Sequence, residues 1–306
     1  MTNNNQLAPI CLFVYNRLYH TQRTIEALKN NLLADHSDLV IFSDASKSES
    51  QFEKVRDVRQ YIRQISGFKS ITINEREVNY GLAKSIIDGV TKIVNEYGRI
   101  IVLEDDLVTS PYFLSYMNEA LEKYADDDRV VSIHGYVYPV KQSLPETFFL
   151  RGADCWGWAT WRRGWAHFNP DGQYLIDELK RRKLIGMFDF NGAYSFSKML
   201  KAQIKGSNDS WAVRWHASAF LADKLTLYPG RSLVHNIGND GSGTHCGDDM
   251  GYDLLVSLSP IDFTNIEVQP SDQGQAAFEA FFRKVKGSFA SKLLRRSKKM
   301  LAKVIA

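Results

Sequence analysis

The chain is predicted to be an α/β protein built on a mostly parallel sheet flanked by helices. Three observations predict this. Short β-branched runs alternate with longer amphipathic stretches through the first half, polar residues follow each run at its carboxyl end, and one run is apolar almost throughout. Ile10 to Tyr15 reads as the first strand and Tyr19 to Leu33 as its helix. Leu39 to Phe42 is a second strand, ending in Ser43-Asp44-Ala45-Ser46, and Phe52 to Ile65 is the helix that returns the chain. Ser70 to Ile73 followed by a helix over Leu82 to Tyr97 repeats the unit. Arg99 to Leu103 is then a strand buried on both faces, and it runs directly into Glu104-Asp105-Asp106. A helix near Pro111 to Tyr124 and a strand near Val130 to His134 complete the regular pattern. Residues 151 to 250 are rich in Trp, Gly, Asn, Asp and His, which predicts a loop-rich second half shaping a pocket.

Composition narrows the function classes. Apolar residues make up 44% and charged residues 24% of 306 residues, values of an ordinary soluble core rather than of a disordered or polytopic membrane chain. The opening MTNNNQLAPICLFVYNR lacks a basic segment and its apolar run is short, which argues against a cleaved secretion signal and predicts a cytoplasmic location. Cys11, Cys155 and Cys246 lie far apart without CxxC spacing, so they offer neither a zinc knuckle nor a disulfide framework. Net charge is +3, yet residues 281 to 306 hold nine Lys or Arg and no acid, so the rest of the chain is net negative. A basic end on an acidic body does not resemble a nucleic-acid groove, and no nucleic-acid partner is expected.

In open parallel sheets ligands bind beyond the carboxyl ends of the strands, which is where Glu104-Asp105-Asp106 falls. Carboxylates delivered together by a buried strand suit a hard divalent ion, Mn²⁺ or Mg²⁺, that neutralises a diphosphate. An acidic turn capping the next helix is the plainer alternative. Asn79-Tyr80-Gly81 with Lys84 places a permissive glycine and a cation at a helix start, a pattern that fits a diphosphate as well as an ordinary turn. Asp154-Cys155-Trp156-Gly157-Trp158 and Trp161 concentrate aromatic surface beside a carboxylate, which matches the C–H faces and hydroxyls of sugars, with core packing as the alternative for each Trp. The late glycine-rich run ending at His245 offers an imidazole for a divalent ion, with a structural histidine hydrogen-bonded to backbone as the plainer alternative.

Taken together, PICLFVYNR, the strand ending in SDAS, NYGLAKS and IIVLEDDLVTSPYFLSYMNEAL resemble glycosyltransferases of the GT-A fold, especially the N-acetylglucosaminyltransferase I-like group and its bacterial surface-glycan relatives. The resemblance spans residues 8 to 250. It implies a Rossmann-like catalytic domain over residues 1 to 265, with a donor half (8–135) and an acceptor half (136–265). It assigns metal chelation to Asp106, ribose contact to Asp105, donor-sugar contact to Glu104, a base and ribose contact to Asp44, and a nucleotide contact to Arg17. Cys-Trp-Gly-Trp stands where that group has Gly-Leu-Gly-Trp near the acceptor, so Gly157 and Trp158 carry the acceptor match. A Trp-Asp-Asp-Trp-Met-Arg stretch in the group contains the catalytic base. Here Ser210 replaces the acid before Trp211, so Asp209 becomes the nearest candidate, with an N-cap as its alternative role and Asp154 as the second candidate base.

The expected reaction is transfer of a sugar from a nucleotide-sugar, UDP by resemblance, to a hydroxyl of a glycan or lipid-linked acceptor with inversion. A retaining transferase is the nearest rival. A sugar nucleotidyltransferase would show a Gly-rich loop after the first strand, and YNRLYHTQR has no glycine; a carbohydrate-binding protein has no need of the strand-end acids. Residues 266–277 have linker character. In 278–306, Phe278, Phe281, Phe282, Val285, Phe289 and Leu293 recur at helical spacing among basic residues, which predicts a tail that binds an anionic membrane surface at the inner face of the cell membrane, or else packs on protein.

Overall fold

The computed structural model describes residues 6–238, 252–263 and 266–287. The first half follows the alternation read from the sequence: β1 (Ile10–Val14), α1 (Leu18–Lys29), β2 (Asp38–Ser43), α2 (Glu49–Ile62), β3 (Ser70–Glu75), α3 (Leu82–Tyr97) and β4 (Arg99–Glu104). β1 is buried at every residue and β4 at its four central ones, as expected for strands covered on both faces. Gly98 ends α3 in the left-handed conformation, at φ +79°, and turns the chain straight into β4. β5 (Leu107–Thr109), α4 (Phe113–Lys123) and β6 (Val130–His134) follow.

The second half is more regular than its composition suggests. β7 (Thr147–Arg151), β8 (Trp158–Trp161), α5 (Arg162–Trp165), α6 (Gly172–Arg181), α7 (Ile185–Phe188), α8 (Phe196–Ile204), α9 (Trp211–Leu221), β9 (Leu225–Pro229) and β10 (Val234–Asn236) all lie there. Three of these strands extend the same eight-stranded sheet, in the order β3-β2-β1-β4-β8-β6-β9-β7. β1, β2, β3 and β4 pair in parallel, β8 runs antiparallel between β4 and β6, β9 is parallel to β6, and β7 closes the edge antiparallel to β9. Six strands therefore point one way, and their carboxyl ends share one edge. Because β8 runs against them, its start at Trp158 lies at that same edge, opposite Val102 and His134.

Tryptophans hold the second half on the sheet. Trp158, fully buried, sits with its ring centroid 5.6 Å from Trp211, 5.8 Å from Trp165 and 5.9 Å from Trp215. This places α9 against the sheet beside α3. α9 leads into β9, so it descends from the carboxyl edge and its first residues lie at that edge.

Composition predicts a linker over 266–277, but the structure uses this stretch to cover the outer sheet edge. Ile266 and Val268 pack on the main core, Pro270 bridges to Phe149, and the Ser271 N–H donates to the Phe149 carbonyl at 2.8 Å. The last helix among the described residues, α10, covers residues 272–287. Its Phe278, Phe281 and Phe282 are buried against Phe148, Phe190 and Tyr228. These aromatic residues therefore face the body of the protein rather than a membrane, because β7 and the 137–140 segment supply an apolar wall for them. Phe289, Leu293 and the basic residues after 287 lie outside the described residues. Among the described residues no helix is long and apolar enough to cross a membrane.

If α10 is part of the folded core, Phe278→Ala will lower the unfolding free energy by ~3–5 kcal/mol in urea titrations, whereas exposed Lys284→Ala will change it by less than ~0.5 kcal/mol. Equal, small effects of the two substitutions would show α10 to be an appendage.

Candidate active site

Three carboxylates emerge in succession from β4. Asp105 and Asp106 are nearly buried, and Arg17, just beyond the end of β1, binds both: its Nη2 donates to Asp105 Oδ1 and, at 2.7 Å, to Asp106 Oδ2. Parallel pairing of β1 with β4 brings these residues together, since Phe13 lies beside Glu104. Main-chain contacts fix the acids further. Thr24 Oγ1 donates to the Asp105 carbonyl at 2.9 Å, and the Ile237 N–H donates to the Asp106 carbonyl at 2.9 Å.

The electrostatics are those of a crowded anionic site. Burial, then the neighbouring charges of Asp106 and Asp105, pushes Glu104 up to about 8, with Arg17 acting in the opposite direction. Burial raises Asp105 as well, opposed by Arg17. Burial works against the charge of Arg17, but the two carboxylates outweigh it and hold the guanidinium charged. One cation thus compensates closely spaced acids that repel one another.

Whether these residues fit a divalent cation can be judged from the donor set. Gly238 lies over Asp106, where a Cβ would stand 2.2 Å from Oδ2. Only glycine allows the chain to pass this close to the carboxylate. Among the described residues no cluster of three or more metal-ligating side chains occurs. Two hard carboxylate donors without a full protein cage suit Mg²⁺ or Mn²⁺ completed by phosphate oxygens and water. His245 lies outside the described residues; the chain reaches Gly238, beside Asp106, seven positions before it.

Asp44, at the end of β2, serves the 79–81 turn. Its carboxylate accepts from Asn79 Nδ2 at 3.0 Å, the Tyr80 N–H at 2.9 Å and the Gly81 N–H at 2.9 Å. Gly81 stands at φ +73°, which favours glycine, and opens α3. Lys84, in the first turn of α3, is exposed with Nζ 4.1 Å from the Tyr80 ring centroid, and Arg76 lies 4.0 Å from the same centroid. Arg59 braces this edge by donating to the carbonyls of Ser43, Asp44 and Arg76. Neither Arg59 nor Arg76 was marked by any sequence motif; their signal is confined to lying one strand or helix away from Asp44.

Lys84 and Asp209 line one groove of about 590 Å³ between α3 and the start of α9. Asp209 is exposed and lies 3.6 Å from Arg214. It is not the N-cap of α9, because Ser210 fills that role, its Oγ accepting from the Val213 N–H at 3.2 Å. Asp154 stands in the 152–157 loop at the carboxyl edge. Tyr138 donates to its Oδ2 at 3.1 Å and the Cys155 N–H to its Oδ1 at 2.8 Å.

Gly157 and Trp158 do not form an acceptor surface. Trp158 is fully buried in the tryptophan cluster, and Gly157, at φ +68°, is buried where a Cβ would meet Val234 at 2.7 Å. The aromatic residue of the motif that keeps access to solvent is its neighbour Trp156, which is half-buried. Trp158 opens β8, whose four residues are all buried, whereas Trp156 stands before the strand, and a Cys-Trp-Gly-Trp string alone does not locate that boundary.

A family model described as Glycosyl transferase family 2 matches residues 10–200. No curated protein matches the chain. Among solved structures, the chain is similar to the mannosyltransferase PcManGT from Pyrobaculum calidifontis in complex with GDP-Man and Mn²⁺, at 12% identity and TM-score 0.36, covering 71% of this chain and 70% of that one. It is similar to a UDP-glucose pyrophosphorylase complexed with UDP-glucose at 12% identity and TM-score 0.36, covering 73% and 90% of the two chains. Mouse xyloside xylosyltransferase 1 matches at 12% identity and TM-score 0.34, covering 61% and 77%. At these TM-scores the likeness is partial and carries no functional weight.

Arg17→Ala will leave Asp105 and Asp106 without their counter-charge and lower stability by about 3 kcal/mol, and added Mn²⁺ will restore part of the loss in thermal melts. An Arg17→Ala protein as stable as the parent would remove the ion pair from its central role.

Proposed function

The chain belongs to glycosyl transferase family 2, and from that premise we propose that it is a metal-dependent, inverting transferase acting from a UDP-sugar onto a hydroxyl of a glycan or lipid-linked acceptor, of the bacterial surface-glycan type. The observation that carries this reading is the delivery of Glu104, Asp105 and Asp106 from the centre of the sheet to the edge where nucleotides bind in open α/β folds.

In this reading Asp106 would hold a divalent cation that, when bound, would neutralise the leaving nucleoside diphosphate, and Asp105 contacts the ribose. Arg17 and Lys84 flank the diphosphate, while the 79–81 turn held by Asp44 shapes the nucleotide side and Glu104 orients the donor sugar. Asp209 accepts the proton of the attacking hydroxyl. Its support is positional: it sits at the start of α9, shares a groove with Lys84 and comes from the half of the chain that does not supply the acids. Attachment to anionic lipid is assigned to basic residues after 287, because the aromatic face of 278–285 is occupied by protein.

Screening nucleotide sugars for Mn²⁺- or Mg²⁺-dependent release of nucleoside diphosphate tests the reading. At least one UDP-sugar is expected to be turned over, with loss of turnover in EDTA and in Asp106→Asn at unchanged melting temperature. Full activity in EDTA would refute the metal. Asp209→Asn will bind nucleotide normally but transfer ~10²- to 10⁴-fold more slowly. Normal transfer by this variant would refute the base.

A further inference from the structure

Asp154 is a half-buried loop carboxylate held by several partners. Its loop is pinned on both sides by buried histidines: the Trp156 N–H donates to His134 Nε2 at 3.0 Å, and His216 Nδ1 lies 2.8 Å from the Ala153 carbonyl. Burial lowers both histidines, so they act as neutral hydrogen-bonding struts. Gly152 leaves room for the His216 ring, which a Cβ would approach to 2.5 Å. The phenol of Tyr138, which donates to the carboxylate, is fixed in turn by rings of α10, with centroids 4.8 Å from Phe278 and 4.9 Å from Phe282.

The supported surface has a definite chemistry. Asp154, Trp156, Tyr138 and Tyr252 are all half-buried, and the ring of Tyr252 touches those of Trp156 and Tyr138 at 5.8 Å and 6.0 Å. Each oxygen of Asp154 accepts one protein hydrogen bond and keeps further lone-pair capacity for a ligand. A rigid carboxylate beside aromatic edges is complementary to vicinal hydroxyls and the C–H face of a pyranose. Support of a half-buried polar group by buried polar partners is the arrangement that binding sites require.

We propose that Asp154 and Trp156 form the acceptor subsite, in which the carboxylate accepts hydrogen bonds from two hydroxyls of a pyranose ring packed on the indole. The proposal rests on the transferase reading and deepens it by separating the labour of two carboxylates, Asp209 removing the proton and Asp154 binding the acceptor. Tyr138 is a positioning residue that acts through Asp154.

The test uses the full chain and a panel of methyl pyranosides, with saturation-transfer NMR for sugar binding and a separate UDP titration in Mn²⁺. The parent protein is expected to bind at least one methyl pyranoside saturably. Asp154→Asn and Trp156→Ala will each weaken that binding roughly tenfold, the loss of a hydrogen bond to a charged group being of this order, while UDP affinity stays unchanged. Tyr138→Phe will weaken sugar binding in the parent but not further in Asp154→Asn, a non-additivity that mere destabilisation does not produce. The isosteric Asp154→Asn keeps the test decisive if Trp156→Ala fails to fold. Saturable binding that Asp154→Asn leaves intact, or no binding by the parent, overturns the subsite. Absence of UDP binding by the parent overturns the UDP-sugar reading instead.

Discussion

The guanidinium of Arg17 between Asp105 and Asp106 is the interaction on which the site depends. Three successive acids at the end of a buried strand repel one another and lose hydration, a combination a fold tolerates only with compensating positive charge close by. Arg17 supplies it because β1 and β4 are adjacent and parallel, so the residues following each strand meet at the same edge. On the other side, the antiparallel pairing of β10 with β5 places the 237–238 backbone directly against Asp106. Arg17 thus neutralises the acids in the ligand-free protein at a position where a divalent cation and a diphosphate would act together.

The donor side was legible in the sequence because its information is local. Each βα unit announces itself by period, Gly81 and Gly98 flank α3, and the burial of β4 on both faces follows from its apolar run. The same logic located Asp44, Lys84 and Glu104 to Asp106 at strand ends or a helix start. It did not reveal that Asp44 spends its carboxylate on the 79–81 turn, because that depends on main-chain N–H groups reached only after β2 and β3 pair.

The acceptor side was less legible for a physical reason. β8 has four residues and is inserted antiparallel, so neither its phase nor its neighbours can be read from periodicity, and Trp156 and Trp158 exchange the roles their motif suggests. The cap of α9 fell on Ser210 rather than Asp209, a one-residue difference that frees a carboxylate. Phe278, Phe281 and Phe282 give the same amphipathic pattern whether the partner is lipid or protein. Their partner is the wall made by Phe148, Tyr228 and Tyr138, residues separated from them by long stretches of chain.

This difference in how the two halves are built bears on how they work. The donor acids are fixed by sheet register and an ion pair, so their spacing follows from backbone geometry that any sequence with the same strands would share. Asp154 is fixed instead by side chains from β6, the 135–140 segment and α9, with α10 behind them. A site made in this second way can change shape by substitution at the supporting rings without disturbing the sheet. On the proposed assignment, packing rather than register would set which hydroxyl is presented to Asp209, and α10, though distant in sequence from Asp154, would become part of that choice. The proposed roles would thereby separate activation of the donor from selection of the acceptor.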